Sequence, residues 1–155
     1  MVDFRCIYKC RMLPQFHLHL NRFSREMTAF FDARLTSLGF AVSYIELLIT
    51  LDELGECSQK TLSEQLYLAP STITRFLQKL EKEGMLTRQR SGYLSMVNLT
   101  EDGKKLARRG KIIYEEAWED ILNQVGDKFT ETTGKLLEYG SAELQKLEQS
   151  KSSSP

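Results

Sequence analysis

Apolar residues recur at helical spacing through most of the chain. Between Pro70 and Glu83, Ile73, Phe76, Leu77 and Leu80 fall three and four residues apart and share one face of a predicted helix. At about 100° per residue, Ser71, Arg75, Gln78 and Lys82 lie opposite that face, flanked by Thr72, Thr74 and Lys79. Pro70 suits a first helical position and Gly84 a left-handed end. Ala69 stands where a capping side chain is expected, an omission worth roughly 0.5 to 2 kcal/mol unless Ser71 caps instead. Upstream, Leu62, Gln65 or Leu66, and Leu68 predict a short helix whose Ser63 permits close approach. Only Leu68 and Ala69 are left to turn the chain, which is helix-turn-helix spacing.

After Gly84 the apolar period shortens to two. MLTRQR and YLSMVNL flank Ser91 and Gly92, which predicts a hairpin with a two-residue loop. In that register Leu86 faces Val97, Arg88 faces Ser95 and Arg90 faces Tyr93, so one face grades from apolar at the base to cationic at the tip. Toward the N-terminus, Phe16, Leu20, Phe23, Met27, Phe30, Phe31 and Leu35 stripe a long helix from about Gln15 to Leu38. A second helix follows from Phe40 to Leu54, stopped at Gly55, with Tyr44, Leu47, Leu48 and Leu51 inward. Cys57 is expected in a third, very short strand beside the hairpin, and Ser58 caps the helix after it. Beyond the hairpin, Thr100 caps a helix that opens with Glu101 and Asp102 at its positive end and runs to about Val125. Leu106, Ile113, Ala117 and Ile121 lie on one side of it. A last helix, from about Asp127 to Gln149, carries Phe129, Thr133, Leu136, Gly140, Leu144 and Leu147 at near-heptad spacing. Residues 150–155 have nothing to bury and are expected to be disordered.

The predicted fold is mainly α with a small β-hairpin, in a single domain spanning residues 1–155. A winged helix-turn-helix head occupies 40–100, and long helical regions at 13–38 and 101–149 leave more apolar surface than a monomer tolerates. A homodimer sealed by the terminal helices is the expected state.

With 155 residues, 41% of them hydrophobic and 27% charged, the chain can bury one sizeable core. No apolar run approaches the length of a membrane span, and MVDFRCIYKCR has no signal-peptide pattern, so a soluble, cytoplasmic protein is expected. The net charge of zero hides a polarised distribution. From Ser71 to Lys111 ten Lys or Arg stand against four Asp or Glu, whereas from Ile112 to Ser150 three stand against nine. The basic surplus coincides with the helix and hairpin whose outer faces suit a phosphate-lined groove. A solvated charged helix is the blander reading of the same stripe, and winged helices also serve as protein-interaction modules. The order of helix, short turn, helix, Gly and basic hairpin favours nucleic acid.

Cys6, Cys10 and Cys57 form neither a disulfide framework nor paired metal ligands, and His17 and His19 point to nearly opposite sides of a helix. No metal or cofactor is expected. An enzyme is not expected either, because the chain has no Ser, His and Asp constellation and no phosphate-cradling Gly loop. His17, Phe40, Tyr44 and Trp118 are candidates to line an effector crevice between terminal helices and head, although aromatics at helical spacing are more often core.

The ordered set LSEQLYLAPSTITRFLQKLEKEGMLTR, a basic hairpin, then VNLTEDG resembles the MarR family of bacterial transcriptional regulators, over about Leu13 to Gln149. The resemblance implies a winged helix-turn-helix homodimer that binds double-stranded DNA at a pseudo-palindrome, most often as a repressor. It also implies that the helix starting at Pro70 enters the major groove, with Ser71, Thr72, Thr74 and Arg75 nearest the bases and Gln78 and Lys79 beside them. The hairpin, with Arg88 and Arg90, would reach toward the minor groove or its phosphates. Release by a small-molecule effector lodged between the terminal helices and the head is the mechanism implied. FSREMT, EQLYL and LTEDG resemble the branch that senses organic hydroperoxides through a cysteine in the first helix, but His17 stands where that thiol would fall. A thiol-based regulator would have to use Cys6 or Cys10. The wing departs too, its tip shortened to RSGY.

Overall fold

The computed structural model describes residues 4–91 and 94–152; the side chains of residues 4–14, 90, 91, 94, 148, 151 and 152 are not among those described. Its elements in order are α1 (Phe4–Leu35), a 3-10 turn (Thr36–Leu38), α2 (Val42–Leu54), β1 (Cys57–Ser58), α3 (Gln59–Gln65), α4 (Pro70–Lys82), β2 (Leu86–Ser91), β3 (Leu94–Leu99), α5 (Glu101–Val125) and α6 (Asp127–Ser152). They fall into two compact units, residues 1–114 and 115–155, with the boundary inside α5.

The first unit is built round the apolar faces that periodicity picks out. Ile73, Leu77 and Leu80 of α4, Ile45, Leu47, Leu48 and Leu51 of α2, and Leu62 of α3 are all essentially inaccessible. Leu35 and Phe31 close the core from the C-terminal end of α1. The start of α2 depends on α1: Ala41 offers no capping side chain, and Asp32 Oδ1 accepts the Val42 N–H at 2.6 Å instead. Ser58 caps α3 by accepting from the Thr61 N–H at 3.1 Å. Thr100 caps α5 by accepting from the Gly103 N–H, also at 3.1 Å. α4 has no side-chain cap, and Ser71 does not supply one; the Ala69 carbonyl accepts from Thr72 and Ile73.

The three strands form an antiparallel sheet in the order β1-β3-β2, with Cys57 opposite Val97, so the short third strand forms as expected. The hairpin register differs from the expected one by two residues: Leu86 pairs with Leu99, Arg88 with Val97, Arg90 with Ser95 and Ser91 with Leu94. Ser91, expected in the loop, is therefore the last residue of β2, paired with Leu94, and residues 92–93, Tyr93 among them, lie outside the described residues. The base of the hairpin decides this, because pairing Leu86 with Leu99 lets the Thr100 N–H reach the Met85 carbonyl at 3.0 Å and the Thr100 hydroxyl donate to the Gly84 carbonyl at 2.7 Å.

Three boundaries also differ. α1 starts at Phe4, eleven residues before the expected Gln15, and passes through Pro14, although a proline inside a helix has no N–H to give and crowds the carbonyl four residues before it. α3 stops at Gln65, so the turn takes Leu66 to Ala69 rather than two residues. Tyr67 occupies the left-handed region at φ 53°, a place usually held by glycine. The Leu68 N–H then bonds the Ser63 carbonyl at 3.1 Å, while the Ser63 hydroxyl donates to the Leu68 carbonyl at 2.6 Å. Finally, α6 runs to Ser152, not 149, since nothing between Gln149 and Ser152 breaks a helix; residues 153–155 lie outside the described range.

The second unit holds the rest of α5 and α6, joined at Gly126, whose φ of 84° supplies the left-handed link. Along α6, Phe129, Leu136, Leu144 and Leu147 are exposed, the leucines by 58 to 65%. No single helix among the described residues is long and apolar enough to cross a membrane.

Candidate nucleic-acid interface

α4 buries Ile73, Phe76, Leu77 and Leu80 and turns Ser71, Arg75, Gln78, Lys79 and Lys82 to solvent. Thr72 and Thr74 sit at the margin, half-buried. The helix carries no acidic residue in its first turn and two lysines, Lys79 and Lys82, in its last. Its outer face is thus polar at the positive end of the dipole and cationic further along.

Several side chains of this face have partners that the sequence did not predict. Thr74 is held from α3: the Gln59 amide donates to Thr74 Oγ1 at 2.6 Å, while the Thr74 hydroxyl donates to the Pro70 carbonyl at 2.8 Å. The Lys79 ammonium lies 4.7 Å from the Tyr44 ring centre and 5.8 Å from that of Phe40, a cation–π arrangement. Tyr44 in turn packs on Phe76 with ring centres 4.5 Å apart and on Phe40 at 6.0 Å. Phe40 and Tyr44, expected at an effector crevice, therefore abut the back of α4.

Arg88 is not free to extend along the wing. Its guanidinium donates to Glu81 Oε2, with the Nε contact at 2.9 Å, and its side chain is only 26% exposed. That hydrogen bond holds the Glu81 carboxyl below its usual range. The pair ties β2 to the last turns of α4 and neutralises one of the two arginines assigned to the wing. The other, Arg90, has its side chain outside the described residues. Gln59, Glu81, Arg88, Gln89 and Ser95 line an open cavity of about 420 Å³ between α3, α4 and the hairpin. Of the remaining candidates, His17 is exposed on α1, with the Asn21 amide 3.1 Å from its Nε2, and Trp118 belongs to the second unit.

Among the thiols, Cys57 is buried on β1, and burial pushes its pKa up, so it has little thiolate character. The side chains of Cys6 and Cys10 lie outside the described residues. No group of three or more His, Cys, Asp or Glu able to hold a metal occurs among the described residues.

Helix, turn, exposed polar helix and a three-stranded sheet with a hairpin make this a winged-helix protein. Residues 43–92, a stretch that begins at the second residue of α2, match the model of the MarR family. An organic hydroperoxide resistance transcriptional regulator of Bacillus subtilis is 35% identical over 89 residues, a match covering 56% of this chain and 60% of that regulator. Among solved structures, the organohalide-sensing regulator RdhR in its ligand-free form superposes with a TM-score of 0.80, at 14% identity, over 88% of this chain and 83% of its own. The S. aureus MepR–DNA complex matches with a TM-score of 0.74, at 19% identity, over 83% and 97%. At such identities the structural likeness is one of fold.

Proposed function

We propose that this chain is a cytoplasmic, homodimeric transcriptional regulator, acting as a repressor, that reads double-stranded DNA with α4. The observation that carries the proposal is the outer face of α4. Ser71, Arg75, Gln78, Lys79 and Lys82 are exposed on a helix whose opposite face is fully buried, in a segment where cations outnumber carboxylates ten to four. Such a face costs nothing to present to phosphates and offers a guanidinium, an amide and a hydroxyl to base edges. The dimer rests on α6, where covering the exposed parts of Leu136, Leu144 and Leu147 would contribute about 1 kcal/mol or more for each. Two copies related by a two-fold axis present two copies of α4 to half-sites about one helical turn apart. An effector seated against Phe40 and Tyr44 would act on α4 directly, through Phe76 and Lys79.

The test is a mobility-shift titration of the full chain with random-sequence duplex across a range of salt, followed by selection of bound sites. Binding that weakens steeply with salt, and a selected pseudo-palindrome, are expected. Arg75→Ala should then cost specific binding about 1 to 3 kcal/mol while leaving the protein folded. Absence of salt-dependent duplex binding overturns the proposal and favours a protein partner for the same face.

A further inference from the structure

Thr74 sits half-buried at the margin of the polar face of α4, and its hydroxyl has two fixed partners. Its hydrogen goes to the Pro70 carbonyl at 2.8 Å, and its oxygen accepts from Gln59 Nε2 at 2.6 Å. The same Gln59 nitrogen lies 3.4 Å from the Pro70 carbonyl, so one amide bridges both groups at the N-terminal turn of α4. A threonine hydroxyl has one proton to give. Here that proton is given within the helix, and one lone pair is taken by a side chain from another element. The methyl is the part of Thr74 with no polar commitment.

We propose that Gln59 is a specificity-determining positioning residue: by holding the Thr74 hydroxyl inward it makes α4 read thymine through the Thr74 methyl, by apolar contact with the thymine 5-methyl. Without Gln59, the Pro70 carbonyl is the one of these two partners still holding the half-buried Thr74 hydroxyl, and a hydroxyl that leaves it for a base edge bonds donors and acceptors alike and discriminates poorly. Gln59 suits this role because it opens α3, directly after the Ser58 cap, where packing against α4 fixes its backbone. The inference rests on the proposed reading of DNA by α4 and adds to it a residue outside α4 and a base preference.

The experiment uses the full chain and a duplex selected from a random pool. Each thymine in one half-site is replaced in turn by deoxyuridine, which removes only the 5-methyl. In the parent, one such replacement per half-site is expected to weaken binding about three- to fivefold, the scale of one buried methyl. Thr74→Val keeps a methyl and lacks the hydroxyl, and should retain that penalty; Thr74→Ser lacks the methyl and should lose it. Gln59→Ala should reduce the penalty toward one while leaving salt-dependent binding to random duplex unchanged, a separation that a merely structural role would not produce. A parent indifferent to every replacement, a Thr74→Val variant that loses the penalty, or a folded Gln59→Ala variant that keeps it would overturn the proposal. A parent that binds no duplex at all overturns the DNA-reading proposal itself, and so the two failures are distinguishable. If Gln59→Ala does not fold, the Val and Ser pair at Thr74 still decides whether the methyl is what is read.

Discussion

Tyr67 is the residue whose local chemistry fits its place least. It takes a left-handed conformation at φ 53° with its side chain 90% exposed, so it incurs backbone strain with no packing in return. Tyr67→Gly should raise stability by about 0.5 to 1 kcal/mol, read from the denaturant midpoint, once the greater chain entropy of glycine is counted. A lower midpoint would mean that the phenol ring contributes more than its exposure implies. Glu46 gives a second prediction at this scale. It lies half-buried on α2, its carboxylate accepting from Tyr114 Oη at 3.2 Å, and burial raises its pKa, with the nearby Asp32 adding to the rise. Tyr114, stacked on Phe31 at 4.5 Å, is pushed up to about 12, by burial first and then by Glu46. A carboxyl whose folded pKa is raised stabilises the protein while protonated, and that contribution is lost as pH rises through the folded value. Glu46→Gln, which stays neutral, should therefore raise the thermal midpoint at pH 7 relative to the parent, with the gain vanishing as pH falls to the ordinary carboxylate range near 4. An equal gain at both pH values would assign the effect to packing. Tyr114 has the same sign at the alkaline end, its contribution being lost between about pH 10 and 12.

At the scale of elements, caps and turn residues announced most of the helices. Ser58, Thr100, Gly55 and Gly84 act within a few residues of themselves, so their chemistry is visible in sequence. Asp32, which caps α2 from ten residues away, and the Glu81–Arg88 pair are not visible in this way, because their partners are brought together only by packing. The hairpin register belongs to the same group. Sliding it by two residues keeps every side chain on its face, so alternation alone could not distinguish the two pairings; the Met85–Thr100 hydrogen bond does. The junction is tight at Gly103, where a Cβ would lie 1.9 Å from the Met85 carbonyl oxygen. Gly103→Ala should therefore destabilise by about 2 kcal/mol or more, although alanine is the better helix former. A neutral substitution in thermal unfolding would show that the start of α5 can shift away from β2.

For the whole molecule, the strongest expectation concerns assembly. If the proposed dimer is sealed by α6, replacing Leu136 and Leu144 together by Glu should leave a monomer in sedimentation equilibrium and weaken the proposed DNA binding with it, since a single α4 meets one half-site. A dimer that survives would place its interface on other elements. What the sequence by itself determined is the set of helices, the winged-helix order and the polar face of α4. All of these follow from hydrophobic periods and caps that act over one or two turns. The tertiary structure alone decided which side chains of that face and of the hairpin remain available. It tied Arg88 to Glu81, set Lys79 over Tyr44 and Phe40, and bound the Thr74 hydroxyl to Gln59. Each is a contact between different elements, outside the reach of helical or strand periodicity, and a hydrogen bond or ion pair forms only where packing delivers both partners within about 3 Å.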